Sequence, residues 1–186
     1  VFPASAFVEM AIAVAHLIFR QEEVILTNLT IKHALLLSDV PIKVQMIVVQ
    51  SENSCNLQIF SHSTEDPENE WVQHATGVLK RRQPNPKPYI AIDEALTYFT
   101  ESTDIKELAT HFEARGLKYF PRFDAIKAIY KPARDSNDQL ESALALIELP
   151  ADAILPGDTY RLHPVITDAS FRIAEAIFQD KHTDQI

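Results

Sequence analysis

Between Pro3 and Arg20 the chain reads PASAFVEMAIAVAHLIFR, apolar on nearly every side of a helical wheel and broken by Glu9, His16 and Arg20. A helix that is hydrophobic all round has to be wrapped by other structure or by lipid. Lipid is the poorer choice, because the run is short for a span and Glu9 and His16 fall inside it. A signal peptide would carry basic residues in front and a small-residue cleavage site behind, and neither is present. The segment therefore predicts a helix buried in a curved sheet, with Pro3 where a first-turn proline is tolerated.

The next sixty residues supply such a sheet. Four strand-like runs cover Val24–Leu36, Ile42–Ser51, Cys55–Ser63 and Trp71–Arg81. Ile42-Lys43-Val44-Gln45-Met46 and Asn56-Leu57-Gln58-Ile59-Phe60 alternate with the two-residue period of a half-buried strand. Polar breaks at Asp39-Val40-Pro41, Glu52-Asn53-Ser54 and Thr64–Asn69 separate the runs, which predicts an antiparallel meander. Arg82–Pro88 then places three prolines in seven residues and reads as an extended linker.

Beyond it, Asp104–Ala114 predicts a short helix capped by Thr103 or Asp104 and stopped at Gly116. Strands are expected near Phe123–Tyr130 and Leu140–Leu149. A last helix starts at Pro164 with Ile166, Ala169, Ile173 and Ile177 along one stripe. The organisation is thus an α+β chain with a first unit at 1–82, a linker at 83–103 and a second unit at 104–186. Each unit pairs a proline-initiated helix with antiparallel strands, as two copies of one plan would. The chain opens at Val1 without a methionine and closes in a helix tail, which suggests a piece of something longer.

Composition narrows the chemistry. The 186 residues are 46% hydrophobic, ordinary for a globular chain, and carry a formal charge of −9. Such a surface repels phosphate backbones and anionic headgroups, arguing against nucleic-acid and membrane partners. The lone Cys55 excludes an internal disulfide and fits a reducing, cytoplasmic setting. Gly77, Gly116 and Gly157 form no GxGxxG or P-loop. The seven histidines show no metal-ligand spacing, so no metal is assigned.

One carboxylate stands out. Asp168 lies early in the last helix within His163-Pro164-Val165-Ile166-Thr167-Asp168-Ala169, among mostly apolar neighbours. It reads either as a helix-start acid paired with Arg172 at i+4, or as a carboxyl in an apolar tunnel with a raised pKa, able to donate a proton near neutrality. The residues alone leave both readings open. His163 before a helix-starting proline reads as a structural residue more than a base.

Three stretches in order carry a resemblance. Val1-Phe2-Pro3-Ala4-Ser5-Ala6-Phe7-Val8-Glu9-Met10-Ala11 resembles the end of an HxxxGxxxxP motif with the helix after it. Gly116-Leu117-Lys118-Tyr119-Phe120-Pro121-Arg122-Phe123-Asp124 resembles GxxYGPxFQ. Leu162-His163-Pro164-Val165-Ile166-Thr167-Asp168-Ala169-Ser170-Phe171-Arg172 resembles HPxxLDAxxQ. Together they are similar to the dehydratase domain of modular polyketide synthases, a relative of the fatty-acid synthase dehydratase. The resemblance implies a double hotdog, two antiparallel sheets each wrapping a central helix, here incomplete at both ends. It implies dehydration of a β-hydroxyacyl thioester on an acyl carrier protein to the α,β-unsaturated thioester. Asp168 is then the general acid, and Tyr119, Phe120, Pro121, Phe123, Pro164 and Arg172 shape the substrate wall. The family's catalytic histidine belongs to a part of HxxxGxxxxP that precedes Val1. No cofactor is implied beyond the carrier's phosphopantetheine. Partners would be the carrier protein and neighbouring synthase domains, with a homodimer left open.

Two substitutions depart from the pattern. Phe120 stands where the YGP turn has glycine, which predicts a narrowed tunnel or a changed backbone angle. Arg172 stands where glutamine or histidine is usual, and its charge predicts a depressed Asp168 pKa. They motivate an alternative, a catalytically silent dehydratase-like domain serving scaffolding or acyl-chain holding. A hotdog thioesterase or double-bond-shifting relative is a third reading.

Overall fold

A computed structural model describes residues 1–20, 23–52, 54–64, 70–82, 91–132 and 142–178. The chain divides into two compact units, Val1–Asn85 with Thr159–Pro164, and Pro86–Asp158 with Val165–Ile186.

In the first unit, helix α1 (Ala4–Ile18) follows Pro3, which serves as its N-cap, and ends where Arg20 takes a left-handed φ of 52°. Its buried residues are Ser5, Phe7, Glu9, Ala11 and Ala15. The expected wrapping is partial: Phe7, Ala11 and Ala15 join the core with the sheet, Glu9 meets the backbone of Arg161 and Leu162, and Leu17 is 81% exposed. The strands are β1 (Val24–Ile31), β2 (Ile42–Gln50), β3 (Ser54–Ser63) and β4 (Val72–Arg81). Their order is β1-β4-β3-β2, all antiparallel, which corrects the simple meander. The reason lies in residues 32–41, which are too long for a hairpin and leave strand conformation after Ile31. Lys32 N–H bonds His74 C=O at 2.8 Å and Leu35 C=O accepts from Phe2 N–H at 2.8 Å, so the segment turns inward beside α1. Alternate residues Cys55, Leu57 and Ile59 of β3 are buried and meet Phe7, Ala11 and Ala15 in one core. At about 25 cal/mol per Å² of apolar surface removed from water, this shared burial is the main force closing helix onto sheet.

Two bulges shape that sheet. Ile59 pairs with Ala75 but Phe60 pairs with Gln73, leaving His74 as the extra residue of β4. Opposite, β1 carries an extra residue near Asn28, whose φ is 54°. A Cβ at Gly77 would stand 3.0 Å from Leu26 Cδ1, so the close approach of β1 and β4 favours glycine there.

The second unit holds α2 (Ile92–Tyr98), β5 (Phe99–Ser102), α3 (Ile105–Ala114), β6 (Ile126–Pro132), β7 (Leu144–Ile147) and α4 (Pro164–Phe178). Its sheet order is β5-β6-β7, antiparallel. Within 83–103, expected as linker, residues 92–102 thus form a helix and a strand. Four residues are too few to show a two-residue alternation, and β5 exists because Phe99 and Ser102 pair with Pro132 and Tyr130. The proline-rich stretch 83–90 and residues 140–141 lie outside the described residues. Asp104 caps α3 by accepting from Lys106 N–H at 2.8 Å, and Gly116 ends it at φ +79°. The buried stripe of α4 is Val165, Ala169 and Ile173, with Ile166 only half-buried; it packs with Leu108, Phe112, Ile126 and Ile129.

Candidate active site

The second unit sets the stage at the start of α4. Pro164 is its first residue, and Asp168 comes one turn later with 9% of its surface exposed. Arg172 stands one further turn along the same face, its Nε 3.2 Å from Asp168 Oδ2. The N–H is not aimed at that oxygen, so neither atom makes a regular hydrogen bond. Arg172 instead donates through a terminal nitrogen to the Phe123 carbonyl and lies 4.2 Å from the Tyr119 ring centre, a cation–π contact. The guanidinium is held on three sides by its own chain.

These contacts set the electrostatics. Burial raises the pKa of Asp168, and the Arg172 cation offsets that only in part. Arg172 lowers the pKa as its charge predicts, but the expected net depression is corrected: loss of hydration on burial outweighs the cation. The Tyr119 hydroxyl is also pushed up, first by burial and then by the Asp168 carboxylate, with Arg172 opposing.

Alongside lies a cleft of about 420 Å³ whose walls include Leu108, Phe112, Tyr119, Phe120, Pro121 and Arg172. Four of the residues singled out in the sequence, Tyr119, Phe120, Pro121 and Arg172, therefore meet on one cavity. Asp168 reaches it through Arg172. Phe123 contributes its carbonyl to Arg172 and its ring to the core, and Pro164 serves as the start of α4. Phe120 takes φ −79° and ψ 157°, ordinary extended backbone, and its ring is 74% exposed. Replacing glycine there forces no unusual angle.

The first unit has polar groups that the sequence did not single out. His74, 3% exposed, places Nδ1 3.0 Å from the His33 carbonyl and Nε2 2.7 Å from Ser61 Oγ. A carbonyl only accepts, so Nδ1 carries the proton, and in the neutral ring Nε2 accepts from the Ser61 hydroxyl. Glu9 accepts from the backbone N–H of Arg161 at 2.8 Å and of Leu162 at 2.7 Å. Its one legible signal was an acid inside an apolar helix. His163 packs edge-on against Tyr160 at 4.9 Å. Among the described residues no cluster of three His, Cys, Asp or Glu gathers, and no helix is long and apolar enough to cross a membrane.

Known proteins share both the sequence pattern and the fold. A family model described as polyketide synthase dehydratase domain matches residues 1–62, and one described as polyketide synthase dehydratase N-terminal domain matches 91–186. The pikromycin polyketide synthase component PikAII of Streptomyces venezuelae is 29% identical over 139 residues, which is 73% of this chain and 4% of PikAII. The dehydratase domain from the CurK module of curacin polyketide synthase is 28% identical with a TM-score of 0.79, over 95% of this chain and 59% of that one. Two inactive CurK dehydratase mutants, one with histidine replaced by phenylalanine and one with aspartate by asparagine, give TM-scores of 0.81 and 0.80 at 28% identity. Each alignment covers 99% of this chain and 62% of the mutant's. The fold is α+β and hotdog-like, and the chain spans about three-fifths of these solved relatives.

Proposed function

The chain belongs to the polyketide synthase dehydratase family, and from that premise we propose that it takes part in dehydrating a β-hydroxyacyl thioester carried on an acyl carrier protein. The observation that carries this reading is Asp168, a nearly buried carboxyl with a raised pKa beside an apolar cleft. Hydroxide is a poor leaving group, and a carboxyl that burial makes hold its proton above the ordinary carboxylate range is a group its departure can use. A histidine from outside these 186 residues takes the α-proton, Asp168 protonates the β-hydroxyl, and the C–O bond breaks to release water and leave the α,β double bond. The inactive CurK mutants, altered at one histidine and one aspartate, agree with such a division of labour. Tyr119, Phe120 and Pro121 supply the wall for the acyl chain, with Phe123 and Pro164 fixing its supports. Arg172 holds that wall to the acid's helix.

The experiment compares this chain extended through its upstream residues with its Asp168→Asn variant, on a 3-hydroxyacyl carrier-protein thioester. Loss of one water from the acyl group is read by mass spectrometry. The variant is expected to turn over at least about 100-fold more slowly with an unchanged fold. Near-wild-type turnover in Asp168→Asn overturns the acid assignment. The Asp168–Arg172 pair favours a second reading, a silent dehydratase-like domain, which any genuine turnover by the extended wild type excludes.

A further inference from the structure

The first unit holds a buried serine–histidine pair that the proposed chemistry leaves unused. Ser61 on β3 and His74 on β4 are 7% and 3% exposed, and Ser61 Oγ stands 2.7 Å from His74 Nε2. The bulge gives β4 one residue more than its partner, so that His74 and Ala75 are both buried. The His33 carbonyl accepts from Nδ1 at 3.0 Å, which leaves the Nε2 lone pair facing the serine hydroxyl. That carbonyl is itself held in place. Lys32 N–H bonds His74 C=O at 2.8 Å, and the His33 ring donates from its own Nδ1 to the Gln73 carbonyl at 2.9 Å. A hydroxyl, a base that touches it and a group that orients the base are the parts of an activated nucleophile. Both side chains line a cleft of about 390 Å³ whose other walls include Leu35, Val40, Ile42 and Glu70. Apolar walls with few polar groups suit a short acyl chain, and the Glu70 carboxylate disfavours an anionic one. We propose that Ser61 is a nucleophile toward short neutral acyl esters and thioesters, with His74 as its base. Ser61 Oγ adds to the carbonyl carbon while its proton passes to Nε2; the C–O or C–S bond to the leaving group then breaks, and His74 returns the proton to that group. Water gives a proton to His74 and cleaves the acyl–serine ester, releasing the free acid, and His74 restores the proton to Oγ. Every group named lies in the first unit, so this activity is independent of Asp168 and of the dehydratase reading.

The test treats the full-length protein with a fluorophosphonate, which phosphonylates activated serine hydroxyls, and maps the adduct by mass spectrometry of its peptides. Hydrolysis of 4-nitrophenyl butyrate is followed beside it. The expected result is an adduct on Ser61 that forms at least about 100-fold faster than in the same protein unfolded in urea, because only the fold brings His74 to the hydroxyl. Ser61→Ala is expected to lose that adduct and to hydrolyse the ester no faster than buffer. His74→Gln is expected to slow both reactions about 100-fold. The wild-type adduct map requires neither variant to fold. A Ser61 adduct no faster than in urea overturns the proposal, as does an adduct on another serine alone. Ester hydrolysis unchanged in a folded Ser61→Ala overturns it too. An adduct on Ser61 without ester hydrolysis overturns the assigned acyl chemistry. A purely structural pair would lower the melting temperature when mutated and would leave wild-type Ser61 unlabelled.

Discussion

Glu9 and Asp168 are both helix-borne carboxylates, each with 9% of its surface exposed, and their surroundings differ in kind. Glu9 accepts from two backbone amides, while Asp168 Oδ2 has a cation 3.2 Å away and no hydrogen bond. A second buried side chain of the first unit, His74, resembles Glu9 in that its polar atoms are bonded, with one bond on each ring nitrogen; in the second unit Asp168 Oδ2 and Arg172 Nε are left without one. A buried polar group with its bonds complete adds rigidity, whereas Asp168, short of donors, bears the loss of hydration that raises its pKa. Burial alone would not have separated the two acids; their donors do.

The contrast can be broken in four ways. The largest stability effect is expected from His74→Ala, which strands the Ser61 hydroxyl and the His33 carbonyl and opens a cavity beside Phe7. A loss of about 3 kcal/mol in urea unfolding is expected, and a loss below about 1 kcal/mol would show that the completed network adds little. The second is a pH series comparing wild type with Asp168→Asn. A carboxyl whose folded pKa is raised holds its proton better in the native state. Its stabilising contribution is full below the unfolded value of about 3.9 and is lost as pH rises through the folded pKa. Unfolding measured from acid to neutral pH should therefore shift steadily in favour of Asp168→Asn, and a pH-independent difference would remove the distinction drawn for Asp168.

Third, Arg172→Gln removes the cation that lowers the Asp168 pKa, so that pKa should climb further. In a pH–rate profile of the extended chain the basic limb is expected to move to higher pH. Arg172→Lys, which keeps the charge, should move it less. A limb that moves downward, or not at all, would show that Arg172 does not set the acid. The smallest effect is Asp104→Ala, which deletes the cap of α3 and is expected to cost about 1 kcal/mol in thermal unfolding of the second unit.

The features legible in the sequence are those written locally. The two-residue alternation of Asn56–Phe60 marked β3, Pro164 marked the start of α4, and Asp104 with Gly116 bracketed α3. The order β1-β4-β3-β2 was not legible, because strand neighbours are chosen by pairing across fifty residues. The bulge that turns His74 inward arises from that pairing too, so a histidine in a strand looked unremarkable. In the second unit the i+4 spacing announced the Asp168–Arg172 pair. The sign of the pKa shift depended on burial in the folded unit, which outweighs the Arg172 cation and which the spacing does not show.

Cys55 has a practical consequence. It is the single cysteine of the chain and is 0% exposed in the core of the first unit, on the strand next to the His74 bulge. A thiol reagent can reach it only when that core opens, so its labelling rate, set against that of a free thiol, measures how often the first unit breathes. The native sequence thus contains its own reporter, attached to one unit and silent about the other. With it, the looseness introduced by a change at Glu9 or His74 can be followed under native conditions, with no denaturant and no engineered cysteine.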